Sequence, residues 1–427
     1  MPDKPTLPSR EPRNKRLLLI AYHFPPIQGS TGVARSLAFC RYLHRSSWDV
    51  RILTVHPRAY ENTTPGNSTA IPDNIGVSRA WCFDTRRSLS IMGKYPILFA
   101  IPDRWQSWIA SGYFLGRHIQ TAWKPDVLMS TYPIPSAHVI GYLLHKRSGI
   151  PWVAEFRDPM LQPNYPSDQK LRWAYSKIES RVFSWASQVV VTTDGCNSAY
   201  VDRYSDFGAE RITTIPNGYD PAAFLPPQNS IQTGKSNRLL FLHSGLLYPH
   251  ERNPTAFFHA VRSLMSSGLL NAEDIEFRFR GSGHADLFRP TVSKLGIESL
   301  VTFLPSVSYI QAIDEMRQAD ILMLFQADNC NNQIPAKVYE YFYSRKPILG
   351  LVDPTGETGM LLRGEGIPYI AKLEDRESIE KTIVKVLSDL EGGNPFVIPS
   401  QNLSRYSREN TAKQLSDVLD RCLRGGR

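Results

Sequence analysis

Lys337 and Glu340 have the types and spacing in this chain best suited to chemistry. They lie three apart in Gln333-Ile334-Pro335-Ala336-Lys337-Val338-Tyr339-Glu340-Tyr341-Phe342, so in a helix they share one face near its start. Pro335 suits the first helical position, and the apolar run 347–352 reads as the buried strand that follows. A helix start presents unpaired amides and a partial positive charge. A diphosphate could sit there against Lys337 while Glu340 accepts hydrogen bonds from sugar hydroxyls. On an ordinary surface helix the same two residues would be a solvated pair, so the segment needs support from elsewhere.

A second cation offers that support. Arg252 follows Gly245-Leu246-Leu247-Tyr248-Pro249 and stands just ahead of a helical pattern. Its guanidinium is a fixed fork of donors matched to phosphate oxygens. Arg252 and Lys337 together could neutralise a diphosphate leaving group with no metal. Arg280-Gly281-Ser282-Gly283-His284 ends a predicted strand, which is where ligands bind on an open α/β sheet. Early in the chain, Gly29 and Gly32 sit in a loop before a helix, where glycine lets backbone approach a ligand closely. That loop is not G-x-G-x-x-G, and a plain strand-to-helix turn reads the same way. His138 lies in the first turn of a predicted helix, and Arg157 with Asp158 ends a predicted strand; structural packing and a local ion pair are their plain alternatives. Motifs of zinc proteases, nucleophile-elbow hydrolases and P-loop ATPases are missing.

Two runs of α/β rhythm must position these groups. In the first half, 16–22, 49–55, 126–130, 152–156, 188–192 and 212–215 read as strands, and 33–44, 107–121, 136–147 and 171–187 as helices. Strand, glycine-containing loop, helix and strand make a Rossmann-like unit. Residues 71–116 resist assignment; Trp105, Trp108, Tyr113 and Phe114 suit packing more than a ligand platform. A Pro-, Gln- and Ser-rich stretch at 221–237 reads as a linker. The second half repeats the rhythm, with strands at 238–243, 275–280, 300–303, 321–325 and 347–352, and helices at 254–267 and 376–390. Ser308 with Gln311 announces a capping box. The predicted organisation is a basic arm at 1–15, an N-terminal α/β domain at 16–220, the linker, a C-terminal α/β domain at 238–395, and a 396–427 segment whose helix packs back on the first domain. The predicted ligand site is the cleft between two parallel sheets.

The net charge of +9 invites nucleic acid, anionic lipid or an anionic small molecule as partner. No nucleic-acid motif is present. The cluster Arg10, Arg13, Lys15 and Arg16 reads as a solvated arm, with peripheral membrane contact as its alternative. Five scattered cysteines with no paired spacing fit a reducing cytoplasm rather than a disulfide or zinc framework. No run approaches the length of a membrane span or a signal core.

Taken together, these segments resemble the family 4 glycosyltransferases of GT-B fold, from about residue 16 to 390. The most specific pieces are Ile215-Pro216-Asn217-Gly218-Tyr219-Asp220 and the 335–349 block, supported by 280–283 and by 303–305 with the helix and strand after it. Residues 22–35 and Phe156-Arg157-Asp158-Pro159 look like the bacterial surface-polysaccharide branch. The resemblance implies a cytoplasmic enzyme with two Rossmann-like domains that transfers a sugar, with retention, from a nucleotide diphosphate donor to a glycan or lipid-linked acceptor, without metal or other cofactor. It places Arg252 and Lys337 on the diphosphate, Glu340 on the donor ribose, Gly245, Gly281, Ser282 and Gly283 around the donor, and Gly29 and Gly32 close to its phosphates and sugar. His138 and Arg157 are acceptor-side candidates, and Asp158 and Asn332 catalytic ones. Three positions depart from the family. Asn332 stands where the partner glutamate of Glu340 belongs, Arg157 or Asp158 where a histidine is common, and Ser344-Arg345 where a glycine precedes the turn. The Asn332 departure keeps two rivals in view: a catalytically silent nucleotide-sugar binder, and a nucleotide-sugar epimerase.

Overall fold

The computed structural model describes residues 14–27, 31–63, 71–90, 92, 94–95, 97–163, 165–224 and 238–425. Gly29, the arm through residue 13, and 225–237 of the expected linker lie outside them. The chain divides into two compact units, 1–191 with 199–215 and 412–427, and 192–198 with 216–411.

The first unit holds seven parallel strands: β1 (Lys15–Ile20), β2 (Trp48–Val55), β3 (Gly76–Ala80), β4 (Val127–Thr131), β5 (Trp152–Phe156), β6 (Gln188–Val191) and β7 (Ile212–Thr214). Their order is β3-β2-β1-β4-β5-β6-β7, so the strand order reverses between β1 and β4. β1, β4 and β5 are apolar runs buried on both faces, as a parallel sheet with helical cover requires. Leu17 pairs with Val50 on one side and Val127 on the other. Residues 412–422 of the last helix, Arg408–Gly425, join this core through Ala412, Leu415, Val418, Leu419 and Cys422. Lys15 belongs to the sheet rather than to the basic arm: its ammonium bonds Asp420 at 2.7 Å, which holds the strand's first residue in place.

The second unit holds six parallel strands: β8 (Leu239–Ser244), β9 (Ile275–Arg280), β10 (Val301–Leu304), β11 (Ile321–Phe325), β12 (Ile348–Leu351) and β13 (Ile370–Ala371). The order β10-β9-β8-β11-β12-β13 reverses between β8 and β11. Alternation along each strand divides the core. Ile321, Met323 and Phe325 face one cluster, and Leu322 and Leu324 face the other, which includes Val338, Tyr339, Tyr341 and Phe342. Ser308 and Gln311 form the expected capping box on Tyr309–Gln318. Pro221–Phe224, expected to begin the linker, is instead a 3-10 turn that buries Phe224 in the core of the second unit.

The Lys337–Ser344 helix ends on Arg345 in the left-handed region, φ 55°. Arg345 is one of the two residues, Ser344-Arg345, that stand where the resemblance expects a glycine, and a side chain in this conformation costs strain that glycine does not incur. Arg345→Gly should therefore raise unfolding free energy by about 0.5–1 kcal/mol, partly offset by a freer unfolded chain. Urea melts measure it; a midpoint lower than the parent's would refute the strain argument.

Candidate active site

Lys337 sits where the second sheet reverses its order. The helix that carries it buries Val338, Tyr339, Tyr341 and Phe342, leaving Lys337 and Glu340 on the less covered face. The Tyr341 hydroxyl accepts from the Ser244 amide at 3.2 Å and so pins the end of β8 beneath the helix. The Lys337 ammonium donates to the Ser244 carbonyl at 2.5 Å. The Arg252 guanidinium donates to the Leu246 carbonyl at 3.2 Å and lies over the Tyr248 ring. Among the described residues, neither cation has a carboxylate within ion-pair distance. Burial, and next the Arg252 charge, press the Lys337 ammonium from its ordinary 10.5 down to about 7. An anion arriving there would relieve both causes.

The loops after β8, β9 and β11 meet around these cations. The Gly245 amide donates to the Arg280 carbonyl at 2.8 Å, and the Leu247 amide to the Ser282 carbonyl at 2.9 Å. Ser282 is buried, Gly281 and Gly283 take left-handed conformations, and Gly283 is exposed. Buried Gln326 donates to the carbonyls of Cys330 and Gln333, which shapes the loop leading into the Lys337 helix. Asn332 is exposed on that loop, and its carbonyl accepts from the Thr193 hydroxyl at 2.8 Å.

Glu340 has partners that the sequence did not reveal. The Tyr309 hydroxyl donates to its Oε1 at 2.8 Å, and the Arg408 guanidinium stands 3.8 Å from the same oxygen. Arg408 also donates to the Gly218 carbonyl at 3.1 Å, so the Asn217-Gly218-Tyr219 segment is tied to Glu340 through one arginine. The carboxylate is thus held in one orientation before any ligand arrives. His243, at the end of β8, is fully buried with Nδ1 3.0 Å from the Met323 carbonyl. Burial, then the Lys337 charge, keeps it neutral.

In the first unit the candidates gather at the carboxyl ends of β1, β4 and β5. Arg157 donates to the Tyr132 carbonyl at 2.5 Å and approaches His23 Nδ1 at 3.0 Å. A side chain on Gly32 would overlap the Arg157 guanidinium, so within this unit the glycine makes room for arginine. Asp158 is half-buried and its charge acts on Arg157. His138 requires a correction as an acceptor-side candidate. Its Nδ1 lies 2.7 Å from the Ser130 hydroxyl, which also accepts from Trp152, and the ring packs between Tyr132 and Phe156. Burial presses its pKa to about 3, so it is a neutral core residue.

The two parallel sheets with covering helices define a protein of the GT-B class, each unit Rossmann-like. Residues 31–218 match the family described as "Glycosyl transferase 4-like domain". Among curated proteins no sequence match was found. Sucrose-phosphate synthase from Thermosynechococcus elongatus has a similar structure, with TM-score 0.69, 12% identity, and 96% of this chain and 100% of that one covered. Anabaena Alr3699/HepE, solved with UDP and glucose, gives 0.65 and 16% identity over 95% and 99%. A putative UDP-N-acetylglucosamine 2-epimerase from Listeria monocytogenes gives 0.58 and 12% over 94% of each chain. At these identities the likeness establishes the fold. The family match ends ahead of Arg252, Lys337 and Glu340, so the reading of those residues rests on their own geometry.

The titration of Lys337 gives a pH signature. A diphosphate bound beside Lys337 would raise the ammonium pKa, so above about pH 7 such a complex would hold more protons than the free protein. Affinity for a diphosphate diester, which loses no proton near neutrality, should be level below that pH and fall above it, by up to about tenfold per unit. Calorimetry in buffers of different ionisation enthalpy should show proton uptake at pH 8. Lys337→Arg should remove the uptake; uptake persisting in that variant would assign the proton elsewhere.

Proposed function

We propose that the chain transfers a sugar, with retention, from a nucleotide diphosphate-sugar to a glycan or lipid-linked acceptor. The observation that carries this reading is the pair Lys337 and Arg252, half-buried at the point where the sheet reverses, each donating to a backbone carbonyl. Preorganised cations in a partly dry site stabilise charge that develops on a leaving diphosphate. Glu340, held by Tyr309 and Arg408, would accept from donor hydroxyls. UDP and UDP-glucose are the first donors to test, because HepE was solved with UDP and glucose. The enzyme would act in polysaccharide biosynthesis on the cytoplasmic side of a membrane and need no metal. Among the described residues no helix is long and apolar enough to cross a bilayer.

The test is nucleotide release from UDP-sugars and GDP-sugars, with product analysis and with Glu340→Ala as control. Release that falls at least tenfold in the variant supports the transferase. Asn332 favours a second reading, a silent binder, because an amide brings no negative charge to an oxocarbenium-like centre. Thermal stabilisation by UDP with no release from any donor would establish that reading. Conversion of the UDP-sugar to its epimer with no acceptor would replace both.

A further inference from the structure

The second unit carries a cavity of about 430 Å³ that the proposed chemistry does not use. Lys337 starts its helix, and the cavity lies at the far end, where Tyr343 and Arg345 line it. The eight residues of that helix span about 12 Å, so the two places are distinct. The volume falls within the usual range of a small-molecule site, about 300–1,000 Å³. Part of the lining is aromatic. Tyr219 stacks on Tyr343 with ring centroids 4.2 Å apart, and Phe224 meets Tyr343 edge-on at 4.7 Å. Most of the remainder is polar and includes Arg317, Arg345 and Ser404, and no acid is among the lining residues.

Arg345 points to a ligand. It holds φ 55°, which glycine would hold without strain, yet the position keeps a long cationic side chain. Among the described residues its guanidinium has no hydrogen-bond acceptor and no carboxylate partner. Strain kept on a side chain with no internal partner marks a position held for function. Arg317 is loosely engaged: its guanidinium stands 3.6 Å from Asp314, one turn back on the same helix, and both are partly exposed. The other acids nearby are turned inward. Asp220, next to Tyr219, is buried and accepts from the Ala222 amide. Glu365 is buried and accepts from the Tyr406 hydroxyl at 2.6 Å and from Arg405. Both lining arginines stand at helix C-terminal ends, whose partial negative charge suits a cation. That keeps the charges in place with the guanidinium forks available, and such a fork matches phosphate oxygens. The hydroxyls of Tyr343 and Ser404 have no hydrogen-bond partner among the described residues and can meet the hydroxyls of a ligand. The aromatic wall suits the apolar face of its ring.

We infer that this cavity binds a small sugar phosphate, with Arg345 and Arg317 on the phosphate and Tyr343 and Ser404 on the ring hydroxyls. The site is separate from the one at Lys337 and does not depend on the proposed transfer reaction. The experiment is calorimetric titration of the full chain with glucose 1-phosphate and with ribose 5-phosphate, which tell a hexose ligand from a pentose one. At least one should bind saturably, at one site per chain, and glucose itself should not bind. Arg345→Gly and Arg317→Gln should each weaken that binding, and together by about tenfold or more, as expected for the loss of charge-assisted contacts. Glycine relieves the strain at 345, so the variants should stay folded, and thermal melts of the same samples read this. Lys337→Ala should leave the sugar phosphate affinity unchanged. Failure of both sugar phosphates to bind would overturn the inference, as would undiminished binding in the double arginine variant. Loss of binding in Lys337→Ala would move the ligand to the diphosphate site and overturn it too. Inorganic phosphate binding as tightly as either sugar phosphate would mean an adventitious ion only.

Discussion

Lys337→Ala should lower donor turnover by about 10²–10³-fold, the loss typical of removing one preorganised charge donor from a developing anion, while the protein stays folded. The ammonium bonds one backbone carbonyl, that of Ser244, at 2.5 Å. Losing that bond costs about 0.5–1.5 kcal/mol. Against this, the cation is disfavoured where it sits. Burial and Arg252 have pressed its pKa to about 7, well under the 10.5 of an ordinary lysine. The unfolded chain therefore binds the extra proton between those two values, and stability rises with pH across that window. At pH 6, where the cation is charged in both states, its removal relieves the full unfavourable interaction, so the melting temperature of the alanine variant should match or exceed the parent's. Near pH 10 the relief is gone, and the lost hydrogen bond should show as a small decrease. Two readouts then move in different directions: kcat/KM collapses while thermal stability at pH 6 does not. Unchanged turnover on any accepted donor removes Lys337 from the chemistry. Loss of folding at pH 6 would mean that the lysine is structural.

The Lys337–Glu340 spacing was legible because one helix face is a local property, written within four residues. The partners of Glu340 were not. Tyr309 comes from the helix start after β10, and Arg408 from a segment 68 residues beyond Glu340, joined to it only by folding. The Ile215–Asp220 motif stood out in the sequence, but its reason appears only in three dimensions: a side chain on Gly218 would overlap the Tyr406 carbonyl, and the Tyr219 amide and carbonyl bond Tyr406 and Arg408. Long apolar strands were easy to find. Two of the four edge strands were hard: Gly76–Ala80 is short and largely half-buried, and Ile370–Ala371 has two residues. Ala285–Leu295 was hidden by Pro290, which punctuates sequence-based reading yet is accommodated inside this helix. His138 misled for the opposite reason. A histidine at a helix start resembles a site residue until its ring is found among Tyr132, Trp152 and Phe156.

Gly245→Ala should be nearly as damaging as the loss of Lys337, by a different route. Gly245 adopts φ 130°, a conformation that side chains rarely take. A methyl group there costs about 1–3 kcal/mol of backbone strain, which thermal melts should register. It would also occupy the place of the Lys337 ammonium, since an added Cβ overlaps Nζ. The cation must then move by about the width of a methyl group, and misplacement on the order of 1 Å can cost about 10² in rate. The two consequences separate in a double variant. If Gly245 acts on turnover through Lys337, then Gly245→Ala in a Lys337→Ala background should cost little further activity, because the ammonium it would displace is already gone. The strain should remain, and the melting temperature should drop as far as in the single variant. Two fully additive losses of turnover would instead show that Gly245 contributes independently, through its own backbone beside the diphosphate.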